Sequence, residues 1–472
     1  MMSIKEAERA KVAAQPATTT SGTDLVHELT ETLKLAAPMA LTQLGQIAMT
    51  TTDLAFIGYT GDEAVAAAGL AGTIYFVGFT LGMGLMAAVA PLAAQAYGAG
   101  DALLVRRALR TGLWAAFFIA LPIMAFPLRG ERILLALGQA GSTSHLAQQY
   151  LFGLAWGVIP ALWFMAIRSF MGAVNRPQPI LWITLAAIPA NGLLAYLLIF
   201  GELGFPRLGL FGAGLATTIV NFGTFLIGLW FVTQRKPFSD YRVLTRFWRI
   251  DWALMRQIVV IGAPISIAFL LEYGLFSSAG LLMGLISTTA LAAHQVALQI
   301  TAILFMVPYG ISMAATVRVG HAVGRFDTGG VNRAGLVALL LGILLAAVFT
   351  LLVIQSRFAI GRFFFGSADG ADAAVALTAN LLLIGATFFI GDGIQSIASG
   401  ALRGMNDTKI PLLFAAIGYW LIGFTTACAL GFWTGLALPH VIAAVVVLAL
   451  FSNQLAPVGR FGFLRRRAEP AA

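Results

Sequence analysis

IVVIGAPISIAFLLEYGLFSSAGLLMGLIS, residues 258–287, holds one charged residue in thirty, Glu272. A helix needs about 20 apolar residues to cross the ~30 Å hydrocarbon core of a bilayer. This stretch is long enough, and nothing in it alternates as a strand would. It reads as a membrane-spanning helix with a carboxylate near its middle.

The rest of the chain repeats that character. Hydrophobic residues are 59% of the 472 and charged residues only 10%, against about a quarter charged in a soluble domain. Twelve segments reach spanning length: 34–58, 66–92, 108–128, 148–171, 179–201, 208–233, 256–284, 291–317, 334–355, 374–401, 410–431 and 435–456. The fold expected is an all-α, polytopic membrane protein with 12 transmembrane helices. The 51 glycines suit close helix packing in lipid. The single cysteine, Cys428, excludes an internal disulfide framework or a Cys-based metal site. No GxxxxGK[ST] loop occurs, so ATP hydrolysis is not expected and the chain reads as no enzyme.

The net charge of +9 does not point to nucleic acid, because the basic residues cluster in short loops between apolar runs. Of the 29 Lys and Arg, 24 fall on the side that also carries both termini; only Arg129, Arg132, Arg207, Arg357 and Arg362 fall on the other. That asymmetry places both termini in the cytoplasm of a multi-pass inner-membrane protein. Residues 1–32 read as a mobile cytoplasmic tail and 457–472 as a basic tail. Between them the expected parts are a first lobe (33–233), a basic inter-lobe loop (234–255) and a second lobe (256–456).

The two lobes repeat. Slid by 226 residues, Pro38 falls on Pro264, Gly58 on Gly284, Gly84 on Gly310, Gly98 on Gly324 and Asp101 on Asp327. A shift of 232 sets MGAVNRPQP (171–179) on RGMNDTKIP (403–411). An even number of spans separates equivalent points, so the halves insert with the same orientation, as in transporters with two lobes around a central cavity.

Of the twenty Asp and Glu, three lie well inside spanning segments: Asp53, Glu272 and Asp392. No Lys or Arg lies comparably deep in the sequence to pair with them. A carboxylate at a helix centre costs about 3 kcal/mol on insertion scales, so these three are expected to face a cavity. Carboxylates there can hold a proton, ligate Na+ or attract a cationic substrate, and competition for one negative site is the chemistry of antiport. Asp53 lies about five residues from its segment end, so water at the rim is its alternative; for Asp392, between Gly391 and Gly393, the alternative is a neutral packing residue. Prolines 38, 160, 189, 264 and 308 fall inside spans and permit bends. Pro38 and Pro264, on the segments of Asp53 and Glu272, are candidate gating points, with static kinks as the alternative. His294 and His440 read as polar packing residues near helix ends.

PMALTQLGQIAMTTTD (38–53), GMGLMAAVAPLAAQAYGAGD (82–101), AAHQVALQI (292–300), VRVGHAVGRFD (317–327) and GDGIQSIASGALRGMNDTKIP (391–411) together resemble the multidrug and toxic compound extrusion (MATE) family, most closely its NorM-type branch. The resemblance runs from about residue 30 to 456. It implies two six-helix lobes and export of cationic amphiphiles in exchange for Na+ or H+, with membrane lipid around it, no cofactor beyond the coupling ion, no nucleic acid and no obligate protein partner. It implies coupling roles for Asp53, Glu272 and Asp392, a Na+ site at Glu272 and Asp392, and a polar first-lobe position at Asn191. Gln46, Gln295 and Gln395, within these stretches, are expected as supporting cavity residues. Three departures stand out: Ala195 where the family often has Asp or Asn, Phe388 where some members have Tyr, and YWLIGFTT (419–426) without the usual proline. The alternative to drug export is a flippase for lipid-linked precursors or oligosaccharides, which would call for basic residues in the cavity.

Overall fold

In hydrocarbon a backbone N–H or C=O finds no water, so each segment must satisfy its own polar groups. The computed structural model meets that demand with helices. The residues it describes are 22–366, 371–425 and 428, and among them there is no strand. In chain order the helices are α1 (Gly22–Gly58), α2 (Asp62–Ala87), α3 (Val89–Gly98), α4 (Ala102–Leu128), α5 (Gly130–Ala136), α6 (Gly141–Ala155), α7 (Val158–Ala173), α8 (Gln178–Phe200), α9 (Gly209–Gln234), α10 (Trp252–Ile286), α11 (Thr288–Gly324), α12 (Thr328–Phe365), α13 (Ala371–Gly404) and α14 (Lys409–Ala415). The last passes into a π-helical stretch, Ala416–Phe424.

Seven of the described helices are long and apolar enough to cross a membrane, counting α2 and α3 together as Asp62–Gly98. Two bent pairs raise this to nine: α6 with α7, at 47°, and the halves of α13 on either side of residue 387, at 43°. The first break has a clear cause. Pro160, expected inside a span, is the third residue of α7, and its ring cannot pack behind a continuing helix, so the turn opens at Trp156 and Gly157. Pro38 and Pro264 lie instead inside the unbroken helices α1 and α10. The twelfth expected span (435–456), the end of the eleventh, His440 and the basic tail (457–472) lie outside the described residues.

α1 departs from expectation twice. It begins at Gly22, so residues 22–32, read as part of a mobile tail, form its first three turns. Arg318 fixes them: its Nε and an Nη donate to the two carboxylate oxygens of Glu28 at 2.8 and 2.7 Å. Both side chains are 12% exposed. α1 is also absent from the seven apolar helices. Gln43, Gln46, Thr50, Thr51, Thr52 and Asp53 make it the polar member of the set.

The sequence repeat reappears as repeated backbone geometry. At the ends of α3, α7, α11 and α13 the same cap forms, in which the amide three residues past the helix end returns to the carbonyl five residues earlier. Asp101 N–H donates to Ala96 O, Asp327 to Ala322 and Asp407 to Leu402, each at 2.9 Å, and Arg176 to Met171 at 3.0 Å. The residue before each lies in the left-handed region: Gly100 (φ 72°), Phe326 (58°), Asn406 (61°) and Asn175 (62°). Gly100 and Phe326 are 226 residues apart, as the sequence shift requires. Asn175 and Asn406 are 231 apart, so the ungapped shift of 232 slips by one residue inside that loop.

The chain forms two compact units. One holds residues 22–37, 94–101 and the described residues from 271 on; the other holds 38–93 and 102–270. Their bounds cut through α1, α3 and α10. Within the first unit, the ends of α3 and α11 cross at a reciprocal contact. A Cβ on Gly98 would sit 2.2 Å from His321 O, and one on Gly324 would sit 2.1 Å from Gln95 O. Gln95 and His321 are themselves 226 residues apart, so one crossing is made twice by equivalent positions. Gln95 Nε2 then donates to Gly404 O at 2.8 Å, and Asn406 Nδ2 donates to Gln95 Oε1 at 2.9 Å, which ties the end of α13 to the same place. Gly98→Ala should force this crossing apart at a cost of about 1–3 kcal/mol, read as a lower unfolding temperature in detergent; an unchanged temperature would show that the contact is dispensable.

Candidate coupling sites

The sequence-predicted acids fall into two sites, one in each compact unit. In the unit 38–93 with 102–270, Asp53 is only 5% exposed, so it does not touch water at a rim. Both its oxygens are held. Asn191 Nδ2, from α8, donates to Oδ1, and Thr217 Oγ1, from α9, donates to Oδ2 at 3.0 Å. A buried carboxylate is tolerable only with such donors. Tyr150 of α6 lies within electrostatic range. Asn191 is fully buried, and its Oδ1 has no partner.

This placement depends on close packing of α6 and α9. A Cβ on Gly214 would lie 2.5 Å from Tyr150 O, and one on Gly153 would lie 2.7 Å from Phe211 O. Thr218 Oγ1 adds a bond to Gly153 O at 2.7 Å. Ala195, the departure from the family pattern, is buried in the apolar cluster with Ile57, Ala67 and Leu198. Gln46 is not at this site: it is exposed, about two turns before Asp53 on α1. The buried glutamine of α1 is Gln43, whose Oε1 accepts from Arg168 Nη1 at 2.6 Å.

In the other unit, Glu272 of α10 is half-buried and Asp392 of α13 is 6% exposed. The two carboxylates lie within electrostatic range of each other. The expectation that no base comes near them is corrected: Arg403, eleven residues past Asp392 on α13, interacts electrostatically with Glu272 and with Tyr309. Its position beside Gly404 and Asn406 made it read as a loop residue. Phe388, where an oxygen ligand is missing, packs in the apolar cluster with Leu275, Ala386 and Phe389.

The π-helical stretch joins the helices that carry these acids. Gln395, one turn past Asp392, donates through Nε2 to Tyr419 Oη at 2.8 Å, and Tyr419 Oη donates to Gln395 Oε1 at 3.1 Å. The next residue, Trp420, donates through Nε1 to Leu271 O at 3.1 Å, beside Glu272. Consecutive side chains of one irregular turn thus hold α13 and α10. π-turns inside helices often mark functional positions, and this one forms in YWLIGFTT, without the proline usual in the family. Gln295 is exposed, on the side of α11 near Gly280, and does not join this site. His294 is buried in α11, with its Nε2 unpartnered. Among the described residues, no three His, Cys, Asp or Glu converge as a metal site.

Known proteins resemble this chain. The profile of the MatE family matches twice, at residues 38–197 and 264–429, with starts 226 residues apart. The chain belongs to the MatE family. It is 64% identical over 423 residues to "Probable multidrug resistance protein NorM" of Bradyrhizobium diazoefficiens, covering 90% of this chain and 91% of that one. It is 52% identical over 433 residues, with the same coverage, to the protein of that name from Rhodopseudomonas palustris. It is thus a NorM-type member of a family of membrane transporters. The fold is also that of the eukaryotic MATE transporter AtDTX14, with a TM-score of 0.83 at 19% identity over 94% of this chain and 99% of that one. The Vibrio cholerae MATE transporter VcmN gives 0.84 at 16% identity, over 94% and 98%.

Thr217, Tyr419 and Trp420 were not picked out from sequence. Tyr419→Phe keeps the buried ring and removes both bonds to Gln395, each worth about 1 kcal/mol. It should lower the unfolding temperature and slow transport, whereas Gln295→Ala should do neither; equal effects of the two would argue against the π-turn as the support of this site.

Proposed function

We propose that this chain is a secondary active exporter of cationic amphiphilic compounds in the cell inner membrane, with both termini cytoplasmic, exchanging them for Na+ or H+. Glu272 and Asp392, with Asp53 in the other unit, are the coupling acids. The observation that carries this reading is the pairing of Glu272 and Asp392 from two different helices within electrostatic range. Two carboxylates in low dielectric repel each other strongly. A proton on one, or a cation beside both, relieves that repulsion, and a cationic drug competes for the same relief.

Asp53 and Asn191 suit a proton in particular. The ionised carboxylate accepts from Asn191 Nδ2. A protonated carboxyl needs an acceptor, and the unpartnered Asn191 Oδ1 supplies one after rotation of the amide. At Glu272 and Asp392, the oxygen-free Phe388 leaves a sparse donor set for Na+, which normally takes several oxygens. Arg403 lies within electrostatic range of Glu272, so the charge nearest these acids does not by itself support the flippase reading. The drug or the ion drives the cycle only as far as it binds one of the two alternating states more tightly than the other.

Glu272→Gln removes the charge and keeps the shape. In inverted membrane vesicles it should reduce gradient-driven ethidium transport to the background of empty vesicles while the protein stays folded; transport equal to the parent would overturn the assignment.

A further inference from the structure

The basic loop between α9 and α10 lies along α4 instead of hanging free. Arg110 Nη1, from the third turn of α4, donates to Arg246 O at 3.1 Å. Trp114 Nε1 donates to Phe247 O at 3.0 Å. Arg107 Nε donates to Asp251 Oδ2 at 2.7 Å. Trp114 stacks on Phe247 with centroids 5.4 Å apart, and Phe118 on Trp252 at 6.4 Å. From Arg107 to Phe118 these contacts cover about 16 Å of helix, from the end of a spanning helix into its apolar body.

The strap is amphipathic outward. Trp248 is 83% exposed, Trp252 67% and Leu244 47%. Exposed tryptophans at a span end occupy the membrane interface. Beside them, Arg106, Arg107 and Arg246 all lie within electrostatic range of Arg110. The acid facing this group is Asp251, so four guanidinium groups meet one carboxylate. Burial works to raise the Asp251 carboxyl, but the Leu254 N–H and Arg107 outweigh it and hold it below the usual carboxylate range, so it stays charged at neutral pH. Its charge is spent on Arg107. Arg110 is 7% exposed, and the Nε atoms of Arg110 and Arg106 are buried without a hydrogen-bond partner. Buried, unpartnered guanidinium donors are costly and call for an acceptor.

We infer that Arg106, Arg110 and Arg246, with Trp248 and Trp252, form a binding site for the headgroup phosphate of an anionic phospholipid. A phosphate offers several acceptor oxygens to the half-exposed Arg106 and the exposed Arg246, and its charge offsets that of the buried Arg110 beside them. The acyl chains lie where Trp248, Trp252 and Leu244 face outward, and the anionic leaflet supplies the charge complement. A free phosphate would meet the same arginines but gain nothing from the apolar rim.

The test uses the full-length protein in vesicles containing brominated phosphatidylglycerol or, at equal mole fraction, brominated phosphatidylcholine, with tryptophan emission as the readout. Quenching by the anionic lipid should exceed that by the zwitterionic one. The excess should shrink in Trp248→Phe, which leaves Trp252 as a reporter, should vanish in the double variant Arg106→Gln/Arg246→Gln, checked for folding by circular dichroism, and should persist in added inorganic phosphate. Because Arg246 is exposed, Arg246→Gln alone serves if the double variant does not fold, and it should reduce the excess. Equal quenching by the two lipids, survival of the excess in the folded arginine variants, or its loss to inorganic phosphate would each overturn the proposal.

Discussion

A carboxylate held inside an apolar helical bundle governs this structure. Placing one at a helix centre costs about 3 kcal/mol, and this chain does so at Asp53, Glu272 and Asp392. Each must be offset by something specific. Asp53 has an amide and a hydroxyl on its two oxygens. Glu272 and Asp392 have each other within electrostatic range, and Glu272 also has Arg403. The first arrangement satisfies a charge with fixed dipoles. The second is the one whose charge balance, on the proposed function, changes with what binds there.

Supporting those acids takes rigid helices brought unusually close, and the duplicated sequence supplies this. Equivalent glycines 226 residues apart cross the ends of α3 and α11, and four helix ends share one cap geometry. A cap that turns the chain back within two residues fixes where the next helix starts. Each acid-bearing helix also carries a proline or a bend: Pro38 in α1, Pro264 in α10 and the 43° bend of α13 ahead of Asp392. Prolines and a bend on the acid-bearing helices, with firm crossings at α3 and α11, suit the proposed alternation between two states.

Much of this was legible in the sequence. Asp53, Glu272 and Asp392 stand out because charge in an apolar run is rare and costly. Asn191 came through the family resemblance, and the repeat through glycines and prolines at constant spacing. The misses share a physical cause. Thr217 also bonds Ala213 O in its own helix, as any threonine in a spanning helix does, so nothing in its sequence marks a second bond to Asp53. Tyr419 and Trp420 are aromatics in an apolar run, where lipid contact is the ordinary role. Gln46 and Gln295 are exposed polar residues in spans that make no recorded contact with the acids, because helical phase, not residue type, decides which residues meet. Arg403 looked like a loop residue because its side chain reaches back into the bundle from a helix end. Residues 22–32 looked like a tail because a polar helix is anchored by one long-range ion pair, Glu28 with Arg318, that no local pattern announces.

The central claim is that a cationic substrate competes with a proton or Na+ for the same buried carboxylates. The most direct measurement is ethidium binding to the purified protein in lightly buffered detergent solution, with pH followed as the dye is added and the titration repeated at increasing Na+. Binding should release protons or weaken as Na+ rises. Ethidium affinity indifferent to both pH and Na+ would contradict it.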